Sequence, residues 1–316
     1  MEWPEGAEKF AQCRNNVKRP FKTLYTRLLF RATVGYVCLD NPQIGSIMTD
    51  FSHPAPMMQG KRGLVMGVAN DHSIAWGIAR TLAAQGAEMA FTYQGDSFGK
   101  RVKPLADSVG SSLVLPADVQ DADSLDAVFG AIAAEWGQLD FLVHAIAYSD
   151  KNELKGRYVN TTRANFLNTM DISCFSLTDL AKRCQPLMTD GGSIVTLSYL
   201  GAERVLPNYN VMGVAKAALE ANVRYLAADL GPDGIRVNAV SPGPMRTLAG
   251  SAVGSARKVY GFNARNAPLR RTAALDEVGG AALYLLSDMG GGTTGETLYV
   301  DCGFHVMGMV AEENLN

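Results

Sequence analysis

The sequence predicts an α/β fold, a single domain on a doubly wound sheet of seven parallel strands. Three observations predict it. Short apolar runs alternate with helical patterns from Lys61 to the end of the chain. The runs are continuous in Val, Ile and Leu instead of alternating apolar with polar, as strands covered on both faces require. Glycine punctuates the ends of the runs, and the 32 glycines among 316 residues suit many tight turns and close backbone approaches.

The elements follow in order. RGLVMGVA (62–69) is strand one, and IAWGIARTLAAQGA (74–87) is a helix stopped at Gly86. EMAFTY (88–93) is strand two and SLVLPAD (112–118) strand three, with no helix assigned between them. DADSLDAVFGAIAAEWG (121–137) is an amphipathic helix with an acidic start, and LDFLVHAIA (139–147) is strand four. A long helical stretch covers roughly 161–189, GSIVTLSY (192–199) is strand five, and a helix follows near Tyr209. GIRVNAVSPG (234–243) is strand six; two more helical segments lead to TLYVDCG (297–303), strand seven.

Residues 1–47 break this pattern. Arg14, Lys18, Arg19, Lys22, Arg27 and Arg31 cluster there without the apolar core or cleavage site of a signal peptide. The expectation is an N-terminal extension over 1–56, disordered or a start-site artefact, with Met48, Met57 and Met58 as alternative starts. The folded domain is expected over 57–316. A net charge of −2 argues against nucleic acid or membrane partners. The five cysteines are scattered without C-x-x-C, which points to a reduced, cytoplasmic compartment. The four histidines lack metal-ligand spacing, so no metal is expected.

In a doubly wound sheet the ligand lies beyond the C-terminal strand ends. The turn GVANDHSIAWG after strand one carries Gly67, Ser73 and Ile74, where helix N-terminal amides can face a pyrophosphate. Ser73 is expected to cap the helix and to offer its hydroxyl to phosphate. Gln94 ends strand two where an acidic residue often reads a ribose, and no Arg or Lys follows before Lys100, so NADH is favoured over NADPH. Asp118 and Val119 end strand three beside the expected adenine. Ile146 and Ala147 end strand four, where small residues admit a cofactor. Tyr209 and Lys216 stand seven apart, on one helical face two turns and about 10 Å apart. Beyond strand five, with Tyr199, they edge the same crevice. A tyrosine hydroxyl can stabilise a developing oxyanion, and a lysine can hold ribose hydroxyls.

These residues resemble the short-chain dehydrogenase/reductase superfamily, whose fold is Rossmann-type. The usual Y-x-x-x-K is missing, because position 213 is Gly. Y-x6-K at Tyr209 and Lys216, the upstream Tyr199, and G-x5-S-I-A-x-G resemble instead its NADH-dependent enoyl-[acyl-carrier-protein] reductase branch. SPGPMRTLA (241–249) is similar to that branch's loop after strand six, with Met245 at the cofactor. The resemblance covers about 260 residues. It implies reduction of a trans-2-enoyl thioester by NADH, with Tyr209 on the thioester carbonyl, Lys216 on the ribose and Tyr199 lining the acyl pocket. It also implies enoyl-acyl carrier protein as partner and a homotetramer. Ala147, Tyr199, Leu206, Met212, Met245 and Phe262 are the pocket candidates. LAGSAVGSARKVYGF (248–262), with Gly250, Gly254 and Gly261, reads as a lid, and Arg257 and Lys258 could meet the acidic carrier. Ala147 and Pro242-Gly243-Pro244-Met245 depart from the branch's commoner pattern and bear on acyl preference and inhibitor sensitivity. The competing readings are a divergent ketone reductase or alcohol dehydrogenase, and a non-catalytic dinucleotide-binding regulator.

Overall fold

Seven parallel strands form one sheet in the order β3-β2-β1-β4-β5-β6-β7, in a computed structural model that describes residues 56–248, 250 and 256–315. The strands are β1 Arg62–Met66, β2 Glu88–Tyr93, β3 Val114–Pro116, β4 Phe141–His144, β5 Gly192–Leu197, β6 Ile235–Pro242 and β7 Thr297–Val300. All seven lie within the expected runs. The chain winds outward from β1 to β3, then returns to place β4 on the other side of β1. That reversal opens a crevice at the C-terminal ends of β1 and β4. The described residues belong to one compact unit, Ser52–Asn316. The expected extension, with its Met48 start, lies outside the described residues except at Pro56.

The helices are α1 Ile74–Ala84, α2 Asp96–Ser108, α3 Ala122–Trp136, α4 Arg163–Met170, α5 Ser176–Cys184, α6 Asn210–Leu230, α7 Ala256–Asn266 and α8 Leu275–Leu286. Successive strand residues feed opposite layers, as a period of two demands. Leu64 and Met66 of β1 and Leu142 of β4 enter a core with Leu125 and Ile132 of α3, Leu177 and Leu180 of α5, and Leu219 and Val223 of α6. Val65 and Val143 enter the other, with Ile78 and Leu82 of α1, Val102 and Ala106 of α2, and Val278 and Leu285 of α8. Both faces are therefore covered, which is why the strands read as unbroken apolar runs.

Two expectations need correction. Helix α2 fills the stretch after strand two, to which the sequence pattern assigns no element. It buries only Val102 and Ala106 and holds Pro104 within it, so its apolar pattern is thin. The stretch 161–189 is not one helix. α4 and α5 are joined by five residues wound as a π-helix, Asp171–Phe175. This wider turn faces Ser173 to the exit of β4: the Tyr148 amide donates to its hydroxyl at 2.9 Å, and that hydroxyl donates to the Tyr148 carbonyl at 3.0 Å.

Candidate active site

Every expected site position beyond a strand lies at one edge of the sheet, because all strands run the same way. Gly67 follows β1 with a φ of +98°, which a side chain disfavours. A Cβ there would come within 2.0 Å of the Ala145 carbonyl oxygen beyond β4. Bare backbone thus closes the turn onto the crevice. Ile74 opens α1 and packs against the core below. The amides of Trp76 and Gly77 donate to the Ser73 carbonyl at 3.0 and 3.1 Å, which leaves the leading amides of α1, those of Ile74 and Ala75, to face an anion.

Ser73 corrects a prediction. It occupies the N-cap position, but its hydroxyl caps no helix amide. It accepts instead from the amides of Ala69 (3.0 Å) and Asn70 (3.1 Å), folding the turn on itself. Its proton points to Asn70 Oδ1 at 3.4 Å. Ser73 shapes this turn from inside, since it is buried.

At the outer side of the crevice the Gln94 amide donates to the Asp118 carboxylate at 3.0 Å. The two expected ribose and adenine positions are therefore one hydrogen-bonded pair. A carboxylate at that point opposes a 2′-phosphate. Val119 and Ile146 sit half-buried on the first core, and Met245 on the second, so three apolar side chains rim the groove from three strand ends. Ala147 is exposed beyond β4.

The inner side is built from β5 and α6. Tyr209 is the residue preceding α6, and it is 8% exposed. Its ring meets that of Tyr199 edge-on, with centroids 5.2 Å apart. Burial, then the neighbouring Tyr199 and Glu220, pushes the Tyr209 hydroxyl far above the ordinary tyrosine range. Burial and then Asp301 push Tyr199 to about 12. Both phenols are protonated donors at neutral pH. Lys216, 5% exposed, donates to the Leu197 carbonyl at 2.6 Å. An ammonium carries three donors, so two are left for a ligand. Burial lowers this lysine to about 8, opposed by Cys174 and Glu220.

Position 213 explains the seven-residue spacing physically. A Cβ on Gly213 would lie 2.8 Å from the Gly201 carbonyl oxygen and 3.5 Å from the Tyr209 ring. The loop after β5 lies too close to α6 for a lysine there. One turn further, Lys216 faces the end of β5 without obstruction.

Tyr199, Leu206, Met212 and Tyr209 belong to one apolar cluster with Leu154, Phe166 and Met170. Two pocket candidates fall elsewhere. Met245 packs with the second core, that of α1, α2 and α8. Phe262, on α7 and 43% exposed, meets Phe304 edge-on at 6.1 Å. Its α7 face turns toward the C-terminal segment, which a helical pattern alone does not reveal. The expected lid is described at Leu248, Gly250 and 256–262; Gly254 lies outside the described residues. Arg257 and Lys258 are exposed on α7.

Sequence reading missed three polar residues. His144, fully buried, bonds Thr196 Oγ1 at 2.8 Å and Ser176 Oγ at 2.9 Å. The Ser176 hydroxyl spends its proton on the Ile172 carbonyl at 2.7 Å. It must therefore accept from His144 Nε2–H, while Nδ1 accepts from Thr196. His144 is a neutral strut joining β4, β5 and α5, and burial lowers it to about 3. Ser198 and Glu220, also buried, are hydrogen-bonded to each other beside Lys216. The only sequence signal was their polarity inside otherwise apolar elements.

The residues fit a nicotinamide dinucleotide: a side-chain-free turn, the two leading amides of α1, a Gln–Asp pair and a buried lysine with donors to spare. With the parallel sheet, they define a dinucleotide-dependent reductase of the short-chain dehydrogenase/reductase kind. The comparisons narrow this. The family described as "Enoyl-(Acyl carrier protein) reductase" matches residues 67–305. The chain is 62% identical over 259 residues to the Rhizobium meliloti enoyl-[acyl-carrier-protein] reductase [NADH] 2, covering 82% of this chain and 97% of that protein. It is 54% identical to the Rickettsia bellii NADH enoyl reductase FabI, covering 80% of this chain and 96% of that one. A crystal structure of the Anaplasma phagocytophilum enoyl-acyl-carrier-protein reductase in complex with NAD is 62% identical, with a TM-score of 0.78 over 81% of this chain and 97% of that one. The crystal structure of the Bacillus cereus enoyl-acyl carrier protein reductase with NADP+ and indole naphthyridinone is 50% identical, with a TM-score of 0.79 over 80% of this chain and 99% of that one. The chain belongs to the enoyl-[acyl-carrier-protein] reductase family.

Proposed function

We propose that this chain reduces the trans-2 double bond of enoyl thioesters on acyl carrier protein with NADH, the last step of a fatty-acid elongation cycle. The observation that carries the reading is the seam between β5 and α6. Gly213 has no room for a side chain, Lys216 takes up the cation's place one turn on, and Tyr209 waits buried beside Tyr199.

When bound, the nicotinamide supplies the hydride for the β-carbon. Tyr209 donates its hydroxyl to the thioester carbonyl, whose oxygen gains negative charge as the double bond is reduced. A phenol kept protonated by burial suits that task. Lys216 directs its remaining N–H groups to the ribose hydroxyls, and its charge favours the developing oxyanion. Tyr199 fixes the Tyr209 ring edge-on and lines the acyl side. The Gln94–Asp118 pair favours NADH over NADPH.

Several finer assignments belong to this reading. Exposed Leu167, Phe175 and Tyr225, on and between α4 and α6, support a homotetramer built through the helices flanking β4 to β7. Arg257 and Lys258 offer charge to an acidic carrier protein. Among the described residues no helix is long and apolar enough to cross a membrane; the cytoplasmic assignment rests on the scattered cysteines without C-x-x-C. The first 47 residues have no part in the chemistry, and a chain beginning at Met48 should turn over as the full chain does.

NADH oxidation with trans-2-enoyl and with β-ketoacyl thioesters tests the assignment. Turnover of the enoyl series alone supports it. Preference for the ketone would make the chain a divergent ketone reductase, and tight NADH binding without any turnover would make it a regulator.

A further inference from the structure

Leu197, Ser198 and Tyr199 are consecutive, and each reaches a different part of the α6 start. The Leu197 carbonyl accepts from Lys216 at 2.6 Å. The Ser198 hydroxyl donates to the Glu220 carboxylate. Tyr199 stacks edge-on with Tyr209. Glu220 stands four residues after Lys216, so both side chains project from one helical face. Both are buried, at 7% and 5% exposure. A buried carboxylate is costly unless it has partners; this one has the Ser198 hydroxyl as donor and, one turn earlier on the same helix face, the Lys216 ammonium, which favours its ionised form from beyond ion-pair distance.

We propose that Glu220, held by the Ser198 hydroxyl, is the charge partner of Lys216 and a positioning residue for the reaction. It acts through Lys216, keeping that amine charged and aimed from α6 into the crevice. The proposal rests on the enoyl reductase reading for its substrate, but not for its cofactor.

The other groups facing these two leave the role to Glu220. Cys174, on the π-helical stretch, faces Lys216, but burial raises its thiol and keeps it neutral. His144 of β4 faces the lysine, and burial keeps it neutral. Around Glu220 stand Glu203, Arg224 and the phenols Tyr209 and Tyr299. Glu203 and Arg224 are exposed and oppose one another in sign across solvent. Tyr299 on β7 is half-buried, and burial raises its hydroxyl, so it too is neutral. Burial raises Glu220 itself, and the Ser198 bond pulls it back toward the ionised form.

The test compares Glu220→Gln, Ser198→Ala and Ser198→Thr with wild type in full-length protein. Glutamine keeps an oxygen for Ser198 and removes only the charge. NADH affinity is read by fluorescence titration from pH 6 to 9 without substrate, and kcat and KM for a trans-2-enoyl thioester over the same range. In Glu220→Gln the alkaline loss of NADH affinity should move down by about one pH unit, with near-wild-type values at pH 6. Ser198→Ala should move it the same way by less, and Ser198→Thr should restore the wild-type profile. An unshifted profile in Glu220→Gln, or a loss equal at every pH, would overturn the proposal. If Glu220→Gln does not fold, the two Ser198 variants decide, and equal profiles for Ala and Thr would overturn it. Should wild type reduce no enoyl thioester, the titration still tests Glu220 while the enoyl reductase reading alone fails.

Discussion

The two sides of the crevice are made of different material. After β1, the turn around Gly67 is backbone: a positive φ, a close approach to Ala145, and a serine turned inward onto two amides. Between β5 and α6 the site is made of ionisable side chains: two phenols, a buried amine and a buried carboxylate. Backbone sites tolerate almost no added atom but are indifferent to pH. Side-chain sites tolerate isosteres but depend on which groups carry protons. The difference predicts how each side fails.

The largest effect is expected on the backbone side. Gly67→Ala places a methyl on the Ala145 carbonyl and forces an unfavourable φ. It should cost about 4 kcal/mol or more, roughly a thousandfold in stability or NADH affinity. Urea unfolding and NADH titration check it, and a variant that folds and binds like wild type would show that the turn is not sterically closed. On the other side, Lys216→Met keeps the stem and removes the donors. NADH affinity should fall about 10- to 100-fold, the worth of a charge-assisted hydrogen bond. Urea stability should fall too, because the buried Glu220 carboxylate loses its charge partner, and NADH titration of the folded variant, well below its urea midpoint, separates the two losses.

His144 joins the two sides and gives the most graded effect, the smallest over any one pH unit. Its folded value of about 3 lies below the unfolded 6.5. Between those values the unfolded chain binds a proton that the native chain refuses. The stabilisation is complete above pH 6.5 and is lost as pH falls toward 3, at up to about 1.4 kcal/mol per pH unit. Urea midpoints at pH 7, 6 and 5 should show this slope in wild type and a flatter one in His144→Leu, whatever its absolute stability. Equal slopes would assign the acid sensitivity to other groups.

The contrast also governs what could be read from sequence. The sheet was legible because strands covered on both faces must be apolar throughout, and β2 matches its predicted span residue for residue. Helix α2 was not, because two buried residues and an internal proline leave little periodicity. Tyr199, Tyr209 and Lys216 were legible because helical spacing and strand order alone bring them together. Ser198 and Glu220 were not, since their contact depends on how closely the β5 exit approaches α6. Ser73 was misjudged as a cap for a related reason: its partners are set by the turn's fold, not by its place before a helix. Phe262 needed the path of the C-terminal segment, which no local pattern carries.

The central claim divides the labour at the seam, with Lys216 serving cofactor and Tyr209 serving substrate. Tyr209→Phe removes one hydroxyl and leaves the ring. The decisive measurement is its NADH affinity together with its single-turnover rate on a trans-2-enoyl thioester at saturating NADH. The account predicts unchanged affinity and a rate about 100-fold lower, the worth of one oxyanion donor. A wild-type rate in Tyr209→Phe, or an equal loss of NADH affinity, would contradict it.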